Sequence, residues 1–311
     1  MAESDASDDP GYSLENRVVQ SVREAIEAED RAALGTVLDP LHPADIADLI
    51  EQLGERQRLD LLTLWGTEID GDVLSELDEG LREEVITALP AEVLTEAVRD
   101  LESDDVVDLL EDLEEPQQEI ILDALPAADR AAVEQALSYP EFSAGRLMQR
   151  EVVRMPDHAT VGETIDYLRR NGDDLPEQFY HVILVDPGMH PTGYVTLGKM
   201  LSTPRDAALK SITEDSFRTI PVTQDEGEVA YAFNQYHLIS VPVVDEDERL
   251  VGVITIDDAM AVLDEEHEED ILRLAGVGEG RPSDRIIDTT RRRFPWLAVN
   301  LVTTILASLV I

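Results

Sequence analysis

Cysteine is absent from the 311-residue chain, which excludes disulfides and thiolate metal sites. Histidine is scarce and scattered: His42, His158, His181, His190, His237 and His267 include no i,i+4 pair and no HExxH, so a zinc enzyme is not expected. Lysine occurs only at Lys199 and Lys210, and 24 basic residues stand against 68 acidic ones for a formal net charge of −44. That surface repels phosphates, so nucleic acid is not an expected partner. Self-repulsion of this size favours solubility in concentrated salt, a halophilic device. GxSxG, P-loop and GxGxxG patterns are missing as well. The glycine-rich stretch Ala275–Gly280 follows a helical pattern and reads as a linker. Catalysis is not expected. The opening MAESDASDDPGY has neither the basic start nor the apolar run of a secretory signal.

What is present is enough apolar sequence, 43% of residues, to build cores for two or three domains. Residues 40–138 read as a series of short amphipathic helices. Three stretches, Leu41-His42-Pro43-Ala44, Leu89-Pro90-Ala91 and Leu125-Pro126-Ala127, place proline where a first helical residue needs no N–H. Ile46, Leu49, Ile50 and Leu53 follow at helical spacing. Ser103, followed by Asp104 and Asp105, reads as an N-cap with acids at the positive end of the helix. Helix pairs of this length stack into a superhelical array.

From about 147 to 266 the pattern changes to β and α alternating. Val182–Asp186, Tyr194–Leu197, Val241–Asp245 and Leu250–Thr255 read as short strands, with helices at Val161–Arg170 and Glu228–Gln235. The two halves repeat: an extended segment ending at Pro156 or Pro221, a helix, a strand ending in Val-Asp, a turn, and a strand leading into a last helix. A tandem β-α-β-β-α unit of this kind resembles the paired cystathionine-β-synthase (CBS) domain. Beyond it, 267–293 is an acidic helix that turns basic and is expected to be capped by Ser283 or Asp284. Phe294–Ile311 is an 18-residue run without charge, preceded by Arg291-Arg292-Arg293 and carrying Trp296. It reads as the start of a membrane helix with residues 1–293 on the cytoplasmic side.

This order resembles the MgtE family of magnesium transporters. The resemblance rests on His42-Pro43-Ala44-Asp45-Ile46-Ala47-Asp48-Leu49, on Tyr139-Pro140 with Ser143–Met148, and on the run from Val241 through Asp257-Asp258 to Glu269-Asp270-Ile271. The expected organisation is therefore multidomain. An acidic tail and leading helix (1–39) precede an all-α helical superhelix (40–138). A first (139–205) and a second (206–266) CBS domain form an α/β pair. A linking helix (267–293) and a partial transmembrane helix (294–311) follow. The resemblance implies a homodimer in the cell membrane whose cytoplasmic part senses Mg2+ and holds a pore shut when the ion is plentiful.

Mg2+ takes oxygen ligands and binds through one or two carboxylates plus retained waters. Asp104 and Asp108, four apart on one helix face, match the family's acids of the helical part. Asp258 would face them, and Glu266, Glu269 and Asp270 would look toward the linking helix. Two carboxylates about 5 Å apart repel by roughly 3 kcal/mol at an effective dielectric near 20. A divalent ion between them reverses that sign, and several such bridges supply the ~5.5 kcal/mol that drives a two-state switch from 1:99 to 99:1. His237 and Ala261 stand where the family usually has acids, so at least one ion site is expected to be weakened. The alternative implied by a CBS pair is adenine-nucleotide sensing, with Thr255 and Asp257 as nucleotide-binding residues and ATP as partner. Against it, the first repeat has Lys199 in place of the expected aspartate.

Overall fold

The computed structural model describes residues 16–274 except 100, 112, 114, 173, 174, 177, 215 and 216. The glycine-rich stretch, most of the expected linking helix and the apolar C-terminal run lie outside the described residues. Among the described residues, no helix is long and apolar enough to cross a membrane. The chain divides into two compact units, Met1–Leu101 with Leu109–Leu125, and Glu102–Asp108 with Pro126–Ile311.

The first unit is helical. It comprises α1 (Asn16–Glu27), α2 (Arg31–Leu38), α3 (Pro43–Glu51), α4 (Glu55–Trp65), α5 (Gly71–Ser75), α6 (Glu79–Ala88), α7 (Ala91–Ala97), the end of α8 (Ser103–Glu111) and α9 (Glu115–Ala124). α3 packs on α5, α5 on α7 and α7 on α9, while α4 packs on α6. This alternation of rows is the stacking expected of a solenoid. Leu34, Leu49, Ile50, Leu61, Leu74 and Ile121 are fully buried between the rows. Pro43 is the first residue of α3, with His42 Nδ1 accepting from the Ala44 amide at 3.3 Å. Pro90 and Pro126 stand one place earlier than expected, as the capping residues of α7 and α10 (Ala127–Leu137).

A recurring side-chain device closes the turns of this array. Carbonyls at helix ends have no partner within the helix and need a donor from elsewhere. Arg58 Nη1 donates to Leu53 O at 2.6 Å, Arg82 Nε to Leu77 O at 3.2 Å, and Gln118 Nε2 to Leu113 O at 2.9 Å. Each donor lies five residues after its acceptor, on the helix that follows. The Arg58 and Arg82 side chains are buried, and Arg58 is neutralised by a fork of bonds to both Glu84 oxygens at 3.2 and 3.1 Å.

The second unit holds two sheets of the same design. In the first, β1 (Arg154–Pro156) pairs parallel with β2 (His181–Val185), which pairs antiparallel with β3 (Pro191–Thr196). In the second, β4 (Ile220–Pro221), β5 (Ser240–Val244) and β6 (Leu250–Thr255) repeat that order. The helices are α11 (Ala144–Leu147), α12 (Val161–Arg170), α13 (Leu197–Leu201), α14 (Glu226–Tyr236) and α15 (Ile256–Leu274). The antiparallel registers slip at Leu184/Val185 and again at Val243/Val244. Both hairpins turn on an aspartate: Asp186 Oδ1 accepts from the Gly188 and His190 amides, and Asp245 Oδ1 from the Asp247 and Arg249 amides. Met189 (φ 68°) and Glu248 (φ 60°) occupy the matching left-handed positions. The tandem repeat read from the sequence is thus a repeat of hydrogen bonds as well.

Each sheet has its own core, around Val182, Leu184 and Val195 in one and Phe233, Val243 and Ile254 in the other. Ile183, Val185, Leu250 and Val253 join the two. Gly252 on β6 is required by a close approach, since a Cβ there would come within 2.6 Å of Met148 Sδ and 2.7 Å of Gln149 O. Gly252→Ala should therefore cost about 2 kcal/mol, a fall in Tm of roughly 5 °C measurable by calorimetry. An unchanged Tm would contradict this packing.

Candidate ion-sensing site

The C-terminal end of β6 and the first turn of α15 form a small polar platform. Thr255 ends the strand, and both its amide and its hydroxyl donate to Asp258 Oδ2, at 3.2 and 2.6 Å. Asp258 thereby serves as the carboxylate half of a capping arrangement for α15, which fixes its direction. At the matching place in the first repeat, the Lys199 amide donates to Thr196 Oγ at 3.3 Å, so that corner carries no carboxylate. Segment 149–151 lies beside β6: Gln149 and Val253 exchange backbone hydrogen bonds of 2.9 Å in both directions.

Residues 102–104 sit on this platform. Glu102 takes a hydrogen bond from Gln149 Nε2. Ser103 is expected to cap α8 but is its first helical residue; its hydroxyl donates to Glu151 Oε2 at 2.9 Å. Asp104 is buried. Its carboxyl is held well above the usual carboxylate range, first by burial and then by the negative charges of Asp258, Asp105 and Glu102. Burial, the hydrogen bonds of Thr255 notwithstanding, pushes Asp258 up to about 6. Burial and the charges of Glu151, Asp258 and Asp257 push Glu102 up to about 7. The common feature is acid facing acid where water is scarce, which raises the affinity for a proton or for any other cation.

The remaining expected ligands are placed differently. Asp108 is on the same helix as Asp104 but exposed. Glu266 lies eight residues beyond Asp258 on α15, about 12 Å along the helix axis; it is exposed, with Oε1 over Gly227 at the start of α14. The side chains of Glu269 and Asp270 lie outside the described residues. Among the described residues, no three Asp, Glu or His side chains converge to hold a metal ion. What is assembled is the pair Asp104 and Asp258 with Glu102 beside it. Mg2+ asks no more of a protein than one or two carboxylates when it keeps most of its waters, so the donor set fits. Glu102 escaped the sequence reading, and only its adjacency to Ser103 and Asp104 could have signalled it.

The expected nucleotide residues do not line the open cavity of the second unit. That cavity, about 390 Å³, is bounded by His181, Tyr194, Thr196, Arg218, Tyr236 and Ser240 among others, whereas Thr255 and Asp257 belong to the acidic platform. His181 stacks on Tyr194 at 4.4 Å and meets Ser240 Oγ at 2.5 Å through Nδ1. The guanidinium of Arg218 lies 4.1 Å above the Tyr236 ring. Burial lowers the proton affinity of His181.

The raised carboxyls set a pH dependence. Each binds its proton more tightly in the folded state, so protonation favours the fold. Their stabilisation is complete below the unfolded carboxyl range near pH 4 and is lost as pH rises through about 6 and about 7. Without divalent ions, the chain should melt several degrees lower at pH 7.5 than at pH 5. His181 and His190 titrate in the same window, so the substitution carries the test. Glu102→Gln with Asp258→Asn should remove much of the difference in a calorimetric pH series, and an undiminished difference would contradict the assignment.

Comparison with known proteins agrees with this geometry. Residues 41–142 match the MgtE intracellular N domain and residues 209–265 match the CBS domain. The magnesium transporter MgtE of Thermus thermophilus is 31% identical over 267 residues, covering 85% of this chain and 59% of that protein. The magnesium transporter MgtE of Bacillus subtilis is 26% identical over 267 residues, 86% of this chain and 59% of that protein. The chain thus spans 59% of the length of either relative. A crystal structure of the cytosolic domain of the Mg2+ channel MgtE in complex with ATP superposes with a TM-score of 0.71, at 32% identity, over 78% of this chain and 99% of that one. The soluble part of a magnesium transporter, 23% identical, shares the fold with a TM-score of 0.69 over 80% of this chain and 98% of that one. With its helical N domain and tandem CBS sheets matching in this order, the chain belongs to the MgtE family of magnesium transporters.

Proposed function

We propose that this chain is the Mg2+-sensing cytoplasmic part of a magnesium transporter, and that Asp104 and Asp258 are the centre of its sensor. One observation carries the reading: two buried acids, far apart in sequence, face each other and repel. The cation supplies the positive charge that makes their approach favourable. Asp258 is aimed by Thr255, and Asp104 is brought up by residues 102–103; together they hold oxygen donors on both sides of the gap. When the ion is scarce, repulsion loosens residues 102–108 from the β6–α15 platform. When it is plentiful, they are drawn in, which favours a closed pore. Homodimer formation, placement at the cell membrane, and roles for Asp108, Glu266, Glu269 and Asp270 in coupling to the linking helix complete the proposal.

A second reading has its own support. The aromatic-lined cavity at His181, Tyr194 and Tyr236 has the size of a small-molecule site, and the similar cytosolic domain was crystallised with ATP. Nucleotide sensing at that cavity is compatible with ion sensing at the platform, because the two use different residues.

Limited proteolysis of the 311-residue chain in mild detergent tests the main reading. Cleavage should slow on addition of millimolar Mg2+, and should still do so in molar KCl, where the Debye length is about 3 Å and only direct coordination survives. Asp104→Ala and Asp258→Ala should each raise the Mg2+ midpoint at least about tenfold, or ~1.4 kcal/mol. Digestion insensitive to Mg2+ would overturn the proposal.

A further inference from the structure

The acids of the platform repel, yet residues 102–104 are held against it by side chains that need no cation. Glu151 Oε2 gathers three donors: the Ser103 hydroxyl at 2.9 Å, the Arg150 amide at 2.9 Å and the Ser103 amide at 3.4 Å. The Arg150 amide also reaches Ser103 Oγ at 2.9 Å. Next to this knot, Gln149 Nε2 donates to Glu102 Oε2. Both anchoring residues belong to a segment that is itself fixed, because Gln149 is bridged to Val253 on β6.

We propose that Gln149 and Glu151 are positioning residues, a metal-independent latch that seats residues 102–104 and sets Asp104 opposite Asp258 before any cation arrives. The proposal rests on the sensor reading for its purpose but not for its geometry. Three features support it. The acceptor is a carboxylate at the amino end of α8, where the helix dipole and the free amide of Ser103 favour negative charge. The positive charge of Arg150 favours ionised Glu151, and two of its guanidinium nitrogens, Nε and Nη2, are buried without a hydrogen-bond partner. The donor to Glu102 is a neutral amide, which holds that carboxyl whether or not it bears a proton. A sensor latched in this way meets its ion with the ligands already placed, which lowers the ordering cost of binding.

Hydrogen exchange on the 311-residue chain in chelator provides the test. Glu151→Ala and Ser103→Ala should each speed exchange at the amides of Ser103, Val106 and Arg150 about tenfold, the mark of locally reduced protection. The amides of β2 and β3 should keep the parent rate. Glu151→Gln retains an acceptor oxygen and should restore most of the lost protection. On subsequent Mg2+ titration, Glu151→Ala should need about tenfold more ion than the parent. Unchanged metal-free exchange in both substituted chains would overturn the latch. So would Glu151→Gln behaving like Glu151→Ala. A parent chain whose exchange ignores Mg2+ would instead overturn the sensor reading, leaving the metal-free comparison to decide the latch.

Discussion

The arrangement depends on one unfavourable contact: Asp104 and Asp258 are brought together out of water with the same charge. A buried carboxylate must find a proton, a cation or a strong set of donors. Here the donors are partial. Thr255 serves Asp258, the Asp105 amide serves Asp104 at 3.0 Å, and Gln149 serves Glu102. The affinity left over appears as carboxyls lifted to about 6 and about 7. The fold stores this tension where a divalent ion relieves it.

The scaffold explains how so acidic a chain can make that contact. The CBS repeat ends each last strand with a threonine followed by a short helical turn, and the two corners differ in one position. Lys199 occupies one and Asp258 the other, so a repeated architecture yields a single acidic corner. In the helical unit, Arg58 and Arg82 are spent inside, on carbonyls at the ends of preceding helices, and Arg58 also on Glu84. Scarce basic residues thus close the turns of the array, while acids dominate what remains at the surface.

The strands and helices of the CBS pair were legible because β-branched runs, Val-Asp turns and period-2 burial are local properties of sequence. β6 falls where expected, and β2 and β5 begin one residue earlier than expected, a shift of the kind fraying ends produce. The helical array was legible from periodicity, though proline marked the cap position in α7 and α10. The site was legible only in part. Asp104 and Asp258 came from resemblance to a family. Spacing of four correctly placed Asp104 and Asp108 on one helix, but spacing cannot say how far along that face the cover extends, and Asp108 is exposed. Glu102, Gln149 and Glu151 act across 47 or 48 residues, and a hydrogen bond over that distance leaves no periodic or local trace. Ser103 misled for a related reason: its hydroxyl is drawn to Glu151 from elsewhere in the chain, which no local capping rule anticipates.

The central claim is that the raised carboxyls and the sensed ion compete for the same negative charge. The most direct measurement is calorimetric Mg2+ titration near pH 6.5 in buffers of different ionisation enthalpy, which counts the protons displaced by the ion. The account predicts release on the order of one proton per bound ion, falling sharply in Asp258→Asn. Binding with no proton release at that pH would show that the ion sits elsewhere and that these buried acids are not its ligands.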